Sequence, residues 1–200
     1  LVAAGDREIV TAIEAAGGKA LLTDPALASG SDRVHAAVEA VDPAGEYDIV
    51  VNLQGDLPTI DPSILSALLP PLEDPAVDIS TPAAPITDPS EHDDPNVVKA
   101  VVSPHPGGRG GRALYFSRAA VPSGEGVRYH HIGAYAYRRA ALRRFVALPP
   151  SVLEKRERLE QLRAMEAGMR IDVAFVDSIP RGVDTHADLE RARQRLRPEG

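Results

Sequence analysis

Two aspartates stand where predicted strands give way to polar turns, which is where open α/β sheets bind their ligands. Asp56 ends the run "DIVVNLQGD", and Asp184 follows "RIDVAFVDSIPRGV" just ahead of a predicted helix. Two carboxylates at two strand ends could share a hard cation such as Mg²⁺, which takes one or two carboxylates together with substrate phosphates. Spacing alone leaves another interpretation open, in which Asp56 is a turn residue and Asp184 a helix-entry residue.

A small-residue loop, "SGSDR" (29–33), enters a predicted helix. Backbone amides at a helix start can bind an anion, and Arg33 could add a bidentate contact to it. The alternative is a plain helix N-cap. The spacing therefore allows an anion site but does not single it out.

The segment "HHIGAYAY" (130–137) has the alternation of a strand. Alternation places four residues on one face: His131, Gly133, Tyr135 and Tyr137. Gly133 would leave space for a ligand and Tyr135 would supply a hydroxyl, whereas a packed aromatic face is the alternative. His130 points to the opposite face, so the double histidine does not form a metal motif.

Composition excludes several classes of protein. The chain has 200 residues, a formal net charge of −7 and no cysteine. Disulfides and thiolate metal sites are therefore excluded, and no basic block is available to neutralise the phosphates of a nucleic acid. No apolar run reaches the roughly 18 residues of a membrane span. The sequence also lacks GxGxxG, P-loop, HExxH and nucleophile-elbow motifs. Their absence argues against a dinucleotide oxidoreductase, a P-loop kinase, a zincin and an α/β-hydrolase.

Strand and helix signals alternate along the chain, which favours a doubly wound α/β sheet. "DIVVNL" is apolar on both faces, as in a buried parallel strand. The motif of Ser151 and Glu154 predicts a capping box for one helix that runs to Gly168. Thr185 and Asp188 predict a similar cap for the last helix, and the middle of the chain is rich in β segments.

Six segments stand in series: "VNLQGDLP", "NVVKAVV", "ALYFSRAAVP", "HHIGAYAYRR", "LEKRERLEQLRAMEAG" and "GVDTHADLERAR". Together they closely resemble the 3-deoxy-manno-octulosonate (Kdo) cytidylyltransferase family over essentially the whole chain. The resemblance implies an α/β fold with a Rossmann-like, mostly parallel sheet of the nucleotidyltransferase type and a small β-rich insertion. It also implies a single domain over residues 1–200, in which a β-rich part at 97–137 binds the sugar acid and forms a dimer.

The resemblance further implies an activity, a cofactor and a set of site residues. Enzymes of this family transfer the cytidylyl group from CTP to Kdo, forming CMP-Kdo and pyrophosphate for lipopolysaccharide biosynthesis, as cytoplasmic, Mg²⁺-dependent homodimers. Their partners are small molecules and not nucleic acid or membrane. By resemblance the metal ligands and catalytic residues are Asp56 and Asp184, and the CTP side holds Arg33, Gln54 and Gly55. The sugar acid would meet Arg118, His131, Tyr135, Glu160 and Gln161.

The sequence departs from the family pattern at its start. The family begins with a strand and a phosphate-binding loop resembling P-A-R-x-x-S-x-R-x-P-x-K, whereas "LVAAGD" corresponds to the second strand. We therefore expect these residues alone to lack one central strand of the sheet and to be inactive and poorly stable. Competing interpretations are a CMP-sialic acid synthetase or another sugar nucleotidyltransferase, a metal-dependent glycosyltransferase, and a non-catalytic dimerising remnant.

Overall fold

The computed structural model describes residues 1–180, 182–183 and 185–197. Its strands are β1 (Val2–Ala4), β2 (Ala20–Leu22), β3 (Ile49–Leu53), β4 (Ile79–Pro85), β5 (Lys99–Pro104), β6 (Gly110–Ser117), β7 (Tyr129–His131), β8 (Ala134–Arg138) and β9 (Ile171–Phe175). Its α-helices are α1 (Arg7–Ala15), α2 (Gly30–Val41), α3 (Pro62–Ala67), α4 (Arg139–Val146), α5 (Val152–Glu157), α6 (Gln161–Glu166) and α7 (His186–Arg195). Short 3-10 helices cover Pro70–Glu73 and Pro89–His92. Within these ranges, no helix is both long and apolar enough to cross a membrane.

The strands form two sheets. β1 and β2 pair in parallel as a two-stranded sheet. The larger sheet is mixed: β4 pairs in parallel with β9 along one edge and antiparallel with β8 and then β7 along the other. β9, β6, β5 and β7 then pair in turn, so that this part of the sheet curls round on β4. Helices alternate with the strands, and the predicted α/β class is confirmed. Among the described strands the larger sheet has one parallel pairing, β4–β9, and six antiparallel ones.

Local sequence signals explain where the helices begin. The side chain of Asp6 accepts a hydrogen bond from the backbone N–H of Glu8 at the start of α1. The side chain of Ser29 accepts one from the backbone N–H of Asp32 at the start of α2. The predicted capping box of Ser151 and Glu154 is present at α5. Each cap satisfies N–H groups that have no partner inside the helix, so the ends of these helices are fixed independently of the core.

The core lies between the larger sheet and the helices α4 and α6. Its largest fully buried side chains include Phe116 and Tyr137 from the sheet, Phe145 from α4 and Leu162 from α6. Burying a large apolar side chain contributes about 1.5–3 kcal/mol. This packing holds α4 and α6 against the larger sheet.

Three sequence expectations are corrected by the structure. The single helix predicted from Ser151 to Gly168 is two helices, because Arg158 adopts a left-handed conformation (φ 57°) that ends α5. "HHIGAYAY" is two strands, β7 and β8, interrupted at 132–133. β3 is not buried on both faces, because Val51 is 40% exposed. It also pairs with β8 alone among the described strands, and that pairing is antiparallel.

Candidate active site

Polar side chains from six elements meet near the ends of β3, β4, β7 and β8. We call this group the strand-end cluster; its members are Ser31, Asn52, Gln54, Thr81, His131, Tyr135, Tyr137, Glu160 and Gln161. Ser31 comes from the first turn of α2, and Glu160 and Gln161 lie at the start of α6. The structure therefore brings together five of the residues that the sequence predicted as site residues.

The β3 side of the cluster is an amide pair beside a tyrosine. Asn52 and Tyr135 are direct antiparallel partners, which places their side chains on one face. The Nε2 group of Gln54 donates to Oδ1 of Asn52 at 2.7 Å. The Gln54 amide also lies so close to Gly30 that a Cβ there would come within 2.7 Å of its Oε1. Gln54 is thus held between the end of β3 and the start of α2.

His131 is buried as a neutral imidazole. Its Nε2 lies 2.8 Å from the hydroxyl of Thr81, which itself donates to the carbonyl of Ala134 at 2.8 Å. Because a hydroxyl has one proton to give, Nε2 of His131 must be the donor of that pair. Burial lowers the pKa of His131 to about 3, and His130 adds to the shift. Its ring also packs edge-on to Phe116, with centroids 4.8 Å apart.

The hydroxyl of Tyr135 makes no hydrogen bond to a described residue. Burial raises its pKa well above the usual value, and Tyr137 and Glu160 add to the shift. The phenol therefore keeps its proton at physiological pH and can donate to a ligand. Its ring lies 5.6 Å from that of His131, measured between centroids.

The α6 side of the cluster supplies a carboxylate and an amide. Oε2 of Glu160 accepts from the hydroxyl of Ser31 at 2.9 Å, and Gln161 is 4% exposed. Three buried polar atoms of the cluster have no hydrogen-bond partner among the described residues: Asn52 Nδ2, Glu160 Oε1 and Gln161 Nε2. An unpaired buried polar group costs about 1–3 kcal/mol, so this cluster is built to accept a polar ligand or water.

Arg118 occupies a neighbouring pocket and not the strand-end cluster itself. The pocket has a volume of about 520 Å³ and is lined by Pro95, Asn96, Arg118, Arg156, Glu157 and Arg158. Nη1 of Arg118 donates to the carbonyl of Pro95 at 3.0 Å, and Nε donates to the carbonyl of Glu157 at 3.1 Å. Three guanidinium groups against one carboxylate make this pocket positively charged. Arg118 follows β6, the strand that carries Phe116, and Phe116 packs on His131 of the cluster.

Arg33 lies at the carboxyl ends of β1 and β2. Its Nη1 donates to the hydroxyl of Thr23 at 2.5 Å and to the carbonyl of Asp24 at 3.2 Å. A Cβ on Gly5 would lie 2.8 Å from the same nitrogen, so the guanidinium covers the end of β1. Its contacts in the described chain are therefore to the loops after β1 and β2, and it lies two residues after Ser31, on roughly the opposite side of α2.

Asp56 lies in an exposed turn directly after β3, and Gly55 beside it has open space where a Cβ would stand. The backbone N–H of Val183 donates to the carbonyl of Asp56 at 2.8 Å. Asp184, the second predicted ligand, lies outside the described residues. Within the described ranges no three His, Asp or Glu side chains converge as a metal-binding group.

Sequence reasoning missed four polar residues around the site: Ser31, Asn52, Thr81 and Lys99. Asn52 carried a visible signal, since it interrupts the apolar run of β3 and is 2% exposed. Ser31 and Thr81 carried none, because their partners Glu160 and His131 lie 129 and 50 residues away in the sequence. Long-range pairs of this kind are visible only in the fold.

Comparison with known proteins identifies the family. A family model described as "Cytidylyltransferase" matches residues 1–171. The chain is 65% identical to the 3-deoxy-manno-octulosonate cytidylyltransferase of Bradyrhizobium sp. (strain ORS 278), over 98% of this chain and 79% of that protein. It is 63% identical to the enzyme of the same name from Rhodospirillum centenum, over 99% of this chain and 77% of that protein.

Solved structures agree with these relatives. The structure of CMP:2-keto-3-deoxy-manno-octonic acid synthetase complexed with CTP superimposes with a TM-score of 0.85 at 38% identity, covering 96% of this chain and 77% of that one. The 4-diphosphocytidyl-2C-methyl-D-erythritol synthase of Anaerococcus prevotii, at 14% identity and a TM-score of 0.59, shares the fold alone. The chain therefore belongs to the 3-deoxy-manno-octulosonate cytidylyltransferase family, and the predicted nucleotidyltransferase class is confirmed.

Proposed function

We propose that this protein transfers the cytidylyl group of CTP to Kdo, forming CMP-Kdo and pyrophosphate for lipopolysaccharide biosynthesis. The observation that carries the proposal is the close match, over nearly the whole chain, to relatives named for this activity and to a synthetase structure complexed with CTP. The chemistry of the strand-end cluster supports it, because a sugar acid rich in hydroxyls needs both donors and acceptors.

The sugar acid is proposed to bind between the strand-end cluster and the arginine pocket. His131 presents a neutral ring, Tyr135 offers a proton, and Glu160 and Gln161 each have a buried polar atom without a hydrogen bond to a described residue. Oε1 of Glu160 also lies 3.6 Å from the guanidinium of Arg163. Arg118, in its positively charged pocket, is proposed to hold the carboxylate, for which a guanidinium has the matching geometry. The hydroxyls of the sugar acid would then meet neutral donors and the Glu160 carboxylate as an acceptor, and its carboxylate would meet the Arg118 guanidinium.

The nucleotide is proposed to lie along the start of α2 and the end of β3. Gln54 and Gly55 follow β3, and Arg33 covers the ends of β1 and β2. The amide of Gln54 could read a base or ribose, and the open space at Gly55 lets a ligand approach the backbone closely. Arg33 adds a fixed positive charge on the side where phosphates would lie.

Mg²⁺ is proposed to bind Asp56 and Asp184. The Asp56 carboxylate suits a hard cation, is exposed, and makes no hydrogen bond to a described residue. The hydrogen bond from Val183 to Asp56 ties the residue before Asp184 to this turn. When bound, the cation would offset the charge on the phosphates and ease loss of the proton from the attacking hydroxyl.

The chain's own part in the reaction is positioning. The anomeric hydroxyl of Kdo attacks the α-phosphorus of CTP in line; a new O–P bond forms, the bond to the bridging oxygen breaks and pyrophosphate leaves. Residues that fix the sugar acid on one side and the nucleotide on the other convert a two-substrate encounter into an oriented one, an effect worth up to about 7–11 kcal/mol of the barrier. No covalent enzyme intermediate is required.

A homodimer in the cytoplasm completes the proposal. The part proposed for dimerisation, residues 97–137, carries Leu114 and Val127, which are 54% and 60% exposed. These two side chains are available for contact with a second copy of the chain. The expectation that the 200 residues alone are inactive stays a prediction.

The test is pyrophosphate release by the complete gene product with CTP, Mg²⁺ and a panel of sugar acids that includes Kdo and sialic acid. We expect turnover with Kdo and a kcat that falls by about 10²-fold or more in Asp56→Asn, since several kcal/mol of charge stabilisation are removed. Asp48→Asn is the matched control, because Asp48 is an exposed aspartate at the other end of β3. Wild-type kcat in Asp56→Asn would contradict the metal assignment, and preference for sialic acid would favour the alternative substrate.

A further inference from the structure

Lys99, the first residue of β5, is fully buried. Its neighbours across the ladder are Ser117 in β6 and His130 in β7. An ammonium group has three N–H donors, and Lys99 uses all of them on backbone carbonyls: those of Asp94 at 2.8 Å, Val97 at 2.6 Å and Arg118 at 2.9 Å. The cation thus has a complete set of partners but hydrogen-bonds to no carboxylate in the described chain.

Those carbonyls lie in two places. One is the peptide of Arg118, whose backbone N–H donates to Oε2 of Glu157 at 3.1 Å. The other is the 94–97 turn, in which the carbonyl of Pro95 accepts from Nη1 of Arg118 at 3.0 Å. Lys99 therefore fixes both the peptide that carries the guanidinium and the turn that orients it.

Stability alone is a weak reason for a lysine at this position. Burial lowers the pKa of Lys99, although Asp94 and Asp93 act against that shift. Burial therefore disfavours the charged form of this side chain. A well-packed apolar side chain at a buried site is often at least as stabilising as a buried charge. What an apolar residue could not do is join the turn, β5 and the peptide of Arg118 through one group.

We propose that Lys99 is a positioning residue for sugar-acid binding, which holds Arg118 in the arginine pocket so that its guanidinium meets the substrate carboxylate. The inference rests on the proposed role of Arg118. Nε and Nη1 of Arg118 are committed to the carbonyls of Glu157 and Pro95, while Nη2 makes no hydrogen bond to a described residue and is left for a ligand. Without Lys99 the turn and the arginine lose their common anchor, whereas the nucleotide side of the site keeps all its contacts.

The test compares Lys99→Met with Leu142→Ala in the complete gene product. Leu142 is equally buried, lies in α4, and serves as a core lesion away from Arg118. For Lys99→Met we expect the KM for Kdo to rise about tenfold or more, with the KM for CTP and kcat within about twofold of wild type, since coupling within a hydrogen-bonded network is of this size. Leu142→Ala should lower the unfolding midpoint and leave both KM values unchanged.

A double-mutant cycle separates the inference from the proposed function. In an Arg118→Ala background, Lys99→Met should raise the KM for Kdo no further. An unchanged KM for Kdo in Lys99→Met, or a rise of the same factor in the Arg118→Ala background, would overturn the positioning role. An unchanged KM in Arg118→Ala alone would instead overturn the proposed role of Arg118. If Lys99→Met does not fold, Lys99→Gln, which keeps a neutral N–H donor, takes its place in the same comparison.

Discussion

Acidification should destabilise this protein through His131 in particular. The imidazole is 7% exposed and buried as the neutral form, with a pKa of about 3. An unfolded chain returns the group to its ordinary pKa of about 6.5. Between these values the unfolded state binds a proton that the native state does not, so stability is fully present above about pH 6.5 and is lost as the pH falls towards 3.

The size of the effect follows from the two pKa values. Each pH unit between them removes about 1.4 kcal/mol, and from pH 7 to pH 5 the loss integrates to about 2 kcal/mol. That is a large part of the roughly 5–15 kcal/mol that a domain usually has. His130, whose pKa is also lowered by burial, contributes in the same direction and must be separated from His131.

A neutral replacement makes that separation. The side-chain amide of His131→Gln can still donate to Thr81 but cannot be protonated in this range, while His130 and the carboxylates stay in place. Urea unfolding at pH 7 and pH 5 should show wild type losing about 2 kcal/mol more than His131→Gln. Equal losses of unfolding free energy in the two proteins would refute the reasoning, because they would mean that the folded protein tolerates the protonated imidazole. An NMR titration of His131 provides an independent measurement of its pKa.

Three further substitutions test the backbone and the open space of the site by urea unfolding. Gly110→Ala should cost about 1–3 kcal/mol, because its Cβ would stand 2.3 Å from the carbonyl oxygen of Val173; unchanged stability would contradict this packing. Gly133→Ala should fold as well as wild type, since nothing lies within 4 Å of its Cβ, and should raise the KM for Kdo if the ligand uses that space. Arg158→Gly should gain about 1 kcal/mol by relieving the left-handed conformation, and a loss of stability would argue that the Arg158 side chain holds the pocket together.

Helix starts were the part of the fold that the sequence predicted best. The boxes of Ser151 with Glu154 and of Thr185 with Asp188 are both present, as predicted. These signals are local: the donor and acceptor lie three residues apart, so the chain needs no tertiary contact to form them. The start of α3 is equally local, with Asp61 as the cap and Pro62 in the first turn.

The break between α5 and α6 could not be predicted, because its cause is tertiary. The residues around Arg158 are good helix formers, and local propensity favours one continuous helix. In the fold, the carboxylate of Glu157 instead accepts from the hydroxyl of Ser117 at 2.9 Å and from the backbone N–H of Arg118 at 3.1 Å. The turn after α5 lets Glu157 reach β6 and still buries Gln161 at the start of α6.

The same break relates the two halves of the proposed sugar-acid site. Glu157, which ends α5, contacts the peptide of Arg118 in the arginine pocket, and Glu160, three residues later, contacts Ser31 in the strand-end cluster. A straight helix would place residues 157 and 160 on the same side, one turn apart, and so direct both towards one element. With Arg158 left-handed, one carboxylate reaches the end of β6 and the other the start of α2. The left-handed conformation of Arg158, which makes the single-helix prediction wrong, thus lets one short segment contact both parts of the proposed sugar-acid site. These parts are the pocket proposed for the carboxylate and the cluster proposed for the hydroxyls.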